Sequence, residues 1–232
     1  MKILYLIPAR GGSKGLKKKN ILKLLDKPMI NYTLDAVLPL LGNNDEVCVS
    51  TDNKEIKDVV EKNGIKVPFI RPNYLASDSA TTKDVINHAL EWYSNNNKLF
   101  DLVVLLQPTS PLRTSIHIKE CLKLWNKDID MIVSVKETDA NPYYVLFEED
   151  QNLFLKKSKE GSFTRRQDCP KVYEYNGAIY VISVDSLKHK DFNNFDRKKK
   201  YLMSKESSID VDDFIDFNLA ELMIKKLNVW RI

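Results

Sequence analysis

The sequence predicts an α/β fold, a mainly parallel sheet with helices on both faces, from three observations. Short β-rich runs recur at 2–8, 46–50, 66–70, 102–106 and 131–135. Between them, 29–41, 54–63, 81–94 and 115–125 carry apolar residues at spacings of three and four, the period of a half-buried helix. The two patterns alternate rather than cluster, which favours parallel strands joined by crossover helices. At 43% hydrophobic and 29% charged, 232 residues suffice for one domain with a substantial core.

Taken in order, the first run, Ile3-Leu4-Tyr5-Leu6-Ile7, leads into IPARGGSKGLKKKN at 7–20, which holds three of the seven glycines and five cations. Glycines let the backbone approach an anion and turn N–H groups inward, while Arg and Lys neutralise phosphate charge. The segment lacks both GxxxxGK[ST] and GxGxxG, so it is neither a Walker A loop nor a dinucleotide fingerprint. KKK alone is an ordinary solvated turn. Its place after the first strand, the glycines and Arg10 at the strand-proximal end point instead to phosphate.

Thr81 offers an N-cap and Asp84 a first-turn acid for the helix at 81–94. The run 102–106 ends in LLQPTSPLR, residues 105–113. Gln107 presents a donor and an acceptor, enough to read a base edge, and Thr109 and Ser110 add hydroxyls. Since ligands of such sheets sit at the carboxyl ends of the strands, the opening loop, Ser50-Thr51-Asp52 and the 107–113 loop are expected along one edge.

From 137 to 167 the alternation breaks. NPYYVLFEEDQNLFLKKS reads as two short strands joined by an acidic turn at 148–152, a projecting hairpin whose apolar side needs a cover. It is a surface flap or a dimer contact, because an isolated hairpin is marginal in water. Strand pattern returns at 177–184, Arg197-Lys198-Lys199-Lys200 reads as a solvated turn before a strand, and 212–227 is an amphipathic helix. In SIDVDDFIDF, at 208–217, Asp210 and Asp212 lie two apart in an extended segment, so their carboxylates point the same way. Such a pair suits Mg²⁺, which takes few carboxylates plus water and phosphate oxygens. Helix capping is the plainer use, and Asp213 and Asp216 fit that better. A phosphate loop, a base-reading loop and paired carboxylates imply nucleotide chemistry in which a polyphosphate is cut or transferred.

Other classes are disfavoured. A net charge of +4 gives little support to nucleic acid as a partner. Cys48, Cys121 and Cys169 are odd in number and widely spaced without CxxC, arguing against a disulfide framework or a zinc site. There is no signal-peptide pattern and no apolar run of membrane length, so a cytoplasmic protein without a membrane partner is expected. His88, His117 and His189 lie outside every motif, Trp92 and Trp125 end helices as packing residues, and Trp230 sits on a terminal tail.

IPARGGSKGLKKKN, RPNYLASDSATT, LLQPTSPLR, RRQDCPKVYEYNGAIY and SIDVDD, in that order, resemble the acylneuraminate cytidylyltransferases, the bacterial CMP-sialic acid and CMP-nonulosonic acid synthetases. The resemblance runs nearly the whole chain and implies a Rossmann-like α/β domain over 1–232, a homodimer, and a dimerisation subdomain at about 137–175 containing the hairpin. It implies the reaction of CTP with a nine-carbon 2-keto sugar acid, giving the CMP-sugar and pyrophosphate for surface glycan synthesis. Ala9, Arg10, Gly11, Ser13, Lys14, Lys19 and Asn20 match the family's triphosphate loop, and Arg71, Ala76, Ser77 and Asp78 its cytidine-side segment. Gln107, Thr109 and Ser110 match the segment beside nucleotide and acceptor. Arg166 and Gln167 match the pair contributed near the sugar acid across the dimer, and Asn176, Gly177 and Tyr180 the acceptor pocket. Asp210 and Asp212 match the magnesium aspartates. Arg10, Lys19 and Asp210 are thereby the catalytic candidates, with the general base left between a carboxylate and the metal.

One position departs from the pattern. In Asn141-Pro142-Tyr143-Tyr144, Tyr144 stands where sialic acid enzymes often carry a lysine, which suggests a less polar acceptor of the legionaminic type. An enzyme for the eight-carbon acid KDO is the alternative, since its first loop is similar, but SIDVDD and NGAIY favour the nine-carbon acids. A non-catalytic nucleotide-binding protein of the same fold would be expected to lose Arg10 or a magnesium aspartate, and both are retained.

Overall fold

The computed structural model describes residues 1–13, 15–191 and 194–227, so Trp230 lies outside the described residues. The chain opens with β1 (Ile3–Pro8), and a short antiparallel pair, β2 (Lys23–Leu24) and β3 (Lys27–Pro28), precedes α1 (Met29–Val37). Then β4 (Glu46–Ser50), α2 (Lys54–Glu61), α3 (Thr82–Asn95), β5 (Leu102–Leu105), α4 (Ser115–Lys123) and β6 (Met131–Glu137) follow. The hairpin β7 (Phe147–Glu149) and β8 (Leu155–Lys157) leads to β9 (Tyr173–Ser183), α5 (Val184–His189), β10 (Lys198–Leu202) and α6 (Phe214–Leu227).

Six strands form one sheet in the order β10-β6-β9-β5-β1-β4. All neighbours are parallel except β9, which runs antiparallel to both β5 and β6. The strand centres are apolar on both faces because each face is covered. Ile3, Tyr5 and Ile7 point to α1, α2 and α4, while Leu4 and Leu6 point to α3 and α5. The expected three-layer fold is therefore present. A third cluster packs α6 on Leu24, Met29 and Tyr32, which brings the end of the chain beside the opening loop.

Local chemistry explains the element ends. Thr81 and Asp84 form a reciprocal capping box at α3, as expected, and Thr114 with His117 does the same at α4. His117 is thus a structural group. Asp213 accepts from the N–H groups of Ile215 and Asp216, starting α6 two residues later than predicted. Helix α1 passes into a 3₁₀ turn at Leu38–Leu40, where Pro39 cannot donate to the helix ladder.

Two expectations are corrected. The run at 66–70 is not a strand: only an isolated parallel bridge, Thr51 to Ile70, forms, and Pro68 removes a ladder donor. The basic run at 197–200 is not a turn, because Lys198–Leu202 is the edge strand β10, paired in parallel with β6. Lysines there suit an edge that must not recruit another strand. The projecting hairpin is present, its turn held by Asp150, which accepts from the N–H groups of Asn152 and Phe154.

Candidate active site

A cavity of about 620 Å³ opens at the carboxyl ends of β1 and β5, a volume typical of small-molecule sites. Arg10, Gly12, Ser13, Lys19, Asn20 and Asp212 line one side, Arg71, Ser77 and Asp78 another, and Gln107 and Thr109 the floor. Of the three segments expected along one sheet edge, the opening loop and the 107–113 loop line the cavity. Ser50 and Asp52 accept from the N–H groups of Ala9 and Gly11 behind it, and the 71–78 segment supplies the third wall. Lys14 lies outside the described residues.

The glycines of the opening loop have a packing reason. A Cβ on Gly11 would stand 2.7 Å from the Asn53 side chain, and one on Gly15 would stand 2.2 Å from the Asp212 carbonyl oxygen. The Gly11 N–H already donates to Asp52 Oδ1 at 2.8 Å, whereas Gly12 faces open space. Asn20 fixes the loop by donating to the Arg10 carbonyl at 3.0 Å. Ala9 is fully buried and donates to the Ser50 carbonyl, so it ends the strand.

Each described cation lining the cavity meets a partner. Arg10 pairs with Asp78 at 2.9 Å, and Lys19 pairs with Asp212 at 2.9 Å. Arg71 is buried and donates to the Ser50 hydroxyl and carbonyl and to the Leu75 carbonyl. Burial pulls its guanidinium below the usual range. Arg71 thereby braces the 71–78 segment, and Ala76 closes the 3₁₀ turn of that segment through its N–H to the Asn73 carbonyl.

Asp210 and Asp212 are held against the 107–113 loop by the Val211 N–H, which donates to the Thr109 carbonyl at 2.8 Å. Burial pushes the Asp210 carboxyl up; the Thr109 hydroxyl opposes this and the Asp212 charge adds to it. Its Oδ1 is buried without a hydrogen-bond partner. A buried carboxylate oxygen with no donor, two residues from a second carboxylate, fits a hard divalent cation. Gly177, at φ +73°, leaves the space where Gln107 Oε1 and Asp210 Oδ2 converge, both about 3.3 Å or less from where a Cβ would stand.

Behind this floor Arg113 is fully buried and donates to the carbonyls of Gln107 and Ala178 and to the Thr33 hydroxyl. Burial pulls its pKa down to about 9. It joins the loop after β5 to the middle of β9, which explains why the 107–113 loop carries an arginine as well as a glutamine.

Several expected acceptor residues are placed elsewhere. Asn176 is buried: its amide donates to the Ser208 hydroxyl and Met203 Sδ, and its oxygen accepts from the Ser134 hydroxyl. It braces a β-bulge instead of facing a ligand. Ser110 is fully buried and Thr109 alone brings a loop hydroxyl to the cavity. Arg166 is paired with Asp139, which also binds Lys205, and Arg166, Gln167 and Tyr144 lie outside the cavity lining of their own chain. Among the described residues no cluster of three or more His, Cys, Asp or Glu side chains could hold a metal ion.

The family model described as Cytidylyltransferase matches residues 4–229. The chain belongs to the cytidylyltransferase family. It is 37% identical over 220 residues to the N-acylneuraminate cytidylyltransferase of Streptococcus agalactiae serotype V, covering 94% of this chain and 52% of that protein. The chain thus spans about half the length of the first curated relatives it matches. It is 32% identical over 226 residues to the CMP-N,N'-diacetyllegionaminic acid synthase of Legionella pneumophila, covering 97% of each. A solved CMP:2-keto-3-deoxy-manno-octonic acid synthetase complexed with CTP superposes at TM-score 0.73 and 18% identity, covering 98% of this chain and 100% of that one, a likeness of fold.

The sequence assigns no ligand-facing role to Thr81, Thr82 or Lys83, yet Thr81 and Thr82 line this cavity and Lys83 lines an adjoining one. Their signal was the end of RPNYLASDSATT, a motif that carries the family resemblance but of whose last two residues only Thr81 has an expected role, the N-cap of α3. No helix among the described residues is long and apolar enough to cross a membrane.

Proposed function

We propose that the chain is a Mg²⁺-dependent cytidylyltransferase that joins CTP to a nine-carbon 2-keto sugar acid, giving the CMP-sugar and pyrophosphate. It would act in the cytoplasm as a homodimer and supply surface glycan synthesis, without nucleic-acid or membrane partners. The observation that carries this reading is the convergence of Arg10, Lys19 and Asp212 with the 71–78 segment and Gln107 around one cavity, in a chain of this family. Relatives named for N-acylneuraminate and for diacetyllegionaminic acid support the acceptor class, and the KDO enzyme is supported by fold alone.

In the reaction the C2 hydroxyl oxygen of the acid attacks the α-phosphorus, and the bond from that phosphorus to the bridging oxygen of pyrophosphate breaks. Most of the barrier is lowered by positioning and charge stabilisation. Arg10 and Lys19 would leave Asp78 and Asp212 for the triphosphate oxygens, steadying the charge that grows on the leaving group. Gln107 would read the base or orient the acceptor at the floor of the cleft, with Thr109 beside it. Asp210 and Asp212 would hold Mg²⁺, which when bound neutralises phosphate charge and lowers the pKa of a bound hydroxyl. Arg166, Gln167 and Tyr144 would serve the partner's site across the dimer, since none of them lines the cavity of its own chain.

The test is Mg²⁺-dependent pyrophosphate release from CTP with N-acetylneuraminic acid and diacetyllegionaminic acid in parallel, and KDO as a third arm. Release with either nine-carbon acid is expected, and a Tyr144→Lys variant should shift the preference toward N-acetylneuraminic acid. Release with KDO alone, or with none, would overturn the nine-carbon reading.

A further inference from the structure

A second cavity of about 420 Å³ lies beside the first and shares Thr81, Thr82, Leu105 and Gln107 with it. Its remaining walls are Lys83, Tyr180 and Asp191. Tyr180 is paired with Leu105 across adjacent strands, so this wall is fixed by the sheet. The cavities meet at Gln107, which places anything in the second one next to the nucleotide.

Lys83 is the only cation lining the second cavity among the described residues. It occupies the first turn of α3, where a positive charge opposes the helix dipole, so the helix gains nothing from it. Its ammonium group pairs with Asp191, and the two side chains are 30% and 64% exposed. A pair this open to solvent is screened and readily exchanged. The described cations of the first cavity do not line the second: Arg10 and Lys19 are assigned above to the triphosphate, and Arg71 is held by the Ser50 backbone.

A 2-keto acid acceptor brings one carboxylate into this space, and a carboxylate leaving water must be matched by charge and hydrogen bonds. We propose that Lys83 binds the carboxylate of the acceptor, exchanging it for Asp191, and so makes the second cavity selective for acids over neutral sugars. This rests on the cytidylyltransferase reading above. Without Lys83, Asp191 faces the incoming acid unshielded and repels it.

The experiment is steady-state pyrophosphate release by wild type, Lys83→Met, Lys83→Arg and Asp191→Asn, with the preferred acid and with its C1 carboxamide. Lys83→Met should raise KM for the acid by about 10- to 100-fold, the range of one charged hydrogen bond, and leave KM for CTP within about twofold. Its preference for acid over amide should collapse. Lys83→Arg should retain most of that preference, and Asp191→Asn should not raise KM for the acid. An unchanged acid KM in Lys83→Met, an equal rise in both KM values, or a retained preference over the amide would overturn the assignment while wild-type activity still supports the function. Wild type inactive with every acid would overturn both.

Discussion

At the scale of single residues, the cleft holds its charges in temporary pairs. Lys19 is tied to Asp212 and Arg10 to Asp78, each at 2.9 Å, so a bound triphosphate must displace carboxylates to reach the cations. Lys19→Ala should lower kcat/KM for pyrophosphate release by about 10²-fold, the usual loss for one electrostatic stabiliser. Asp210 behaves differently. Its carboxyl is pushed up by burial and one oxygen has no donor, so its charge costs stability, and the metal role proposed for it is what would use that charge. Asp210→Asn should therefore lower kcat by about 10²-fold or more while its melting temperature, measured by scanning calorimetry without added metal, stays at or above that of wild type. A fall in both would show instead that the residue braces the fold.

At the scale of elements, Asp130 joins two strands of the sheet, β6 and β10, to helix α5. Immediately before β6, it accepts from the Arg197 N–H and guanidinium ahead of β10 and from the Ser186 hydroxyl of α5. Its side chain is 1% exposed. Burial alone would push this carboxyl up, but the hydrogen bonds from Arg197 and Ser186 and the Arg197 charge hold it far below the usual carboxylate range. Because the folded value is depressed, the unfolded chain binds more protons as the pH falls below about 4, so the contribution is full above that pH and is lost on acidification. Asp130→Ala should cost about 2 kcal/mol at pH 7 in urea unfolding, and the difference from wild type should shrink toward pH 2. A pH-independent difference would mean that packing, not charge, is what Asp130 supplies.

At the scale of the whole molecule, the β7–β8 hairpin stands out from the sheet with Leu153, Phe154 and Leu155 each at least 69% exposed. A two-stranded hairpin with its apolar side in water is marginal, which is why a second copy is the proposed cover. Arg166, Gln167 and Tyr144 belong to the same 137–175 region and line neither cavity of their own chain. Light scattering should therefore give a dimer for wild type and a monomer for Phe154→Asp/Leu155→Asp. The monomer should bind CTP normally and release pyrophosphate at least about tenfold more slowly, as expected when positioning groups are lost. Full activity in a monomer would remove the partner from the site.

The sequence by itself determined whatever depends on neighbours a few residues apart. Apolar period set the strands and helices, Thr81 with Asp84 set the start of α3, Asp213 and Asp216 the start of α6, and the strand ends named the loops that converge. Only the tertiary structure decided what depends on distant partners. Antiparallel β9 lies between β5 and β6, lysine-rich β10 becomes an edge strand, and Lys19 meets Asp212 across 193 residues. It also decided which polar side chains remain for a ligand. Asn176, Ser110 and Arg113 share motifs with Gln107 and Tyr180, yet are buried, with Asn176 and Arg113 engaged by the protein itself. Periodicity reports local geometry, whereas strand pairing and the satisfaction of buried polar groups are set by long-range contacts that no spacing records.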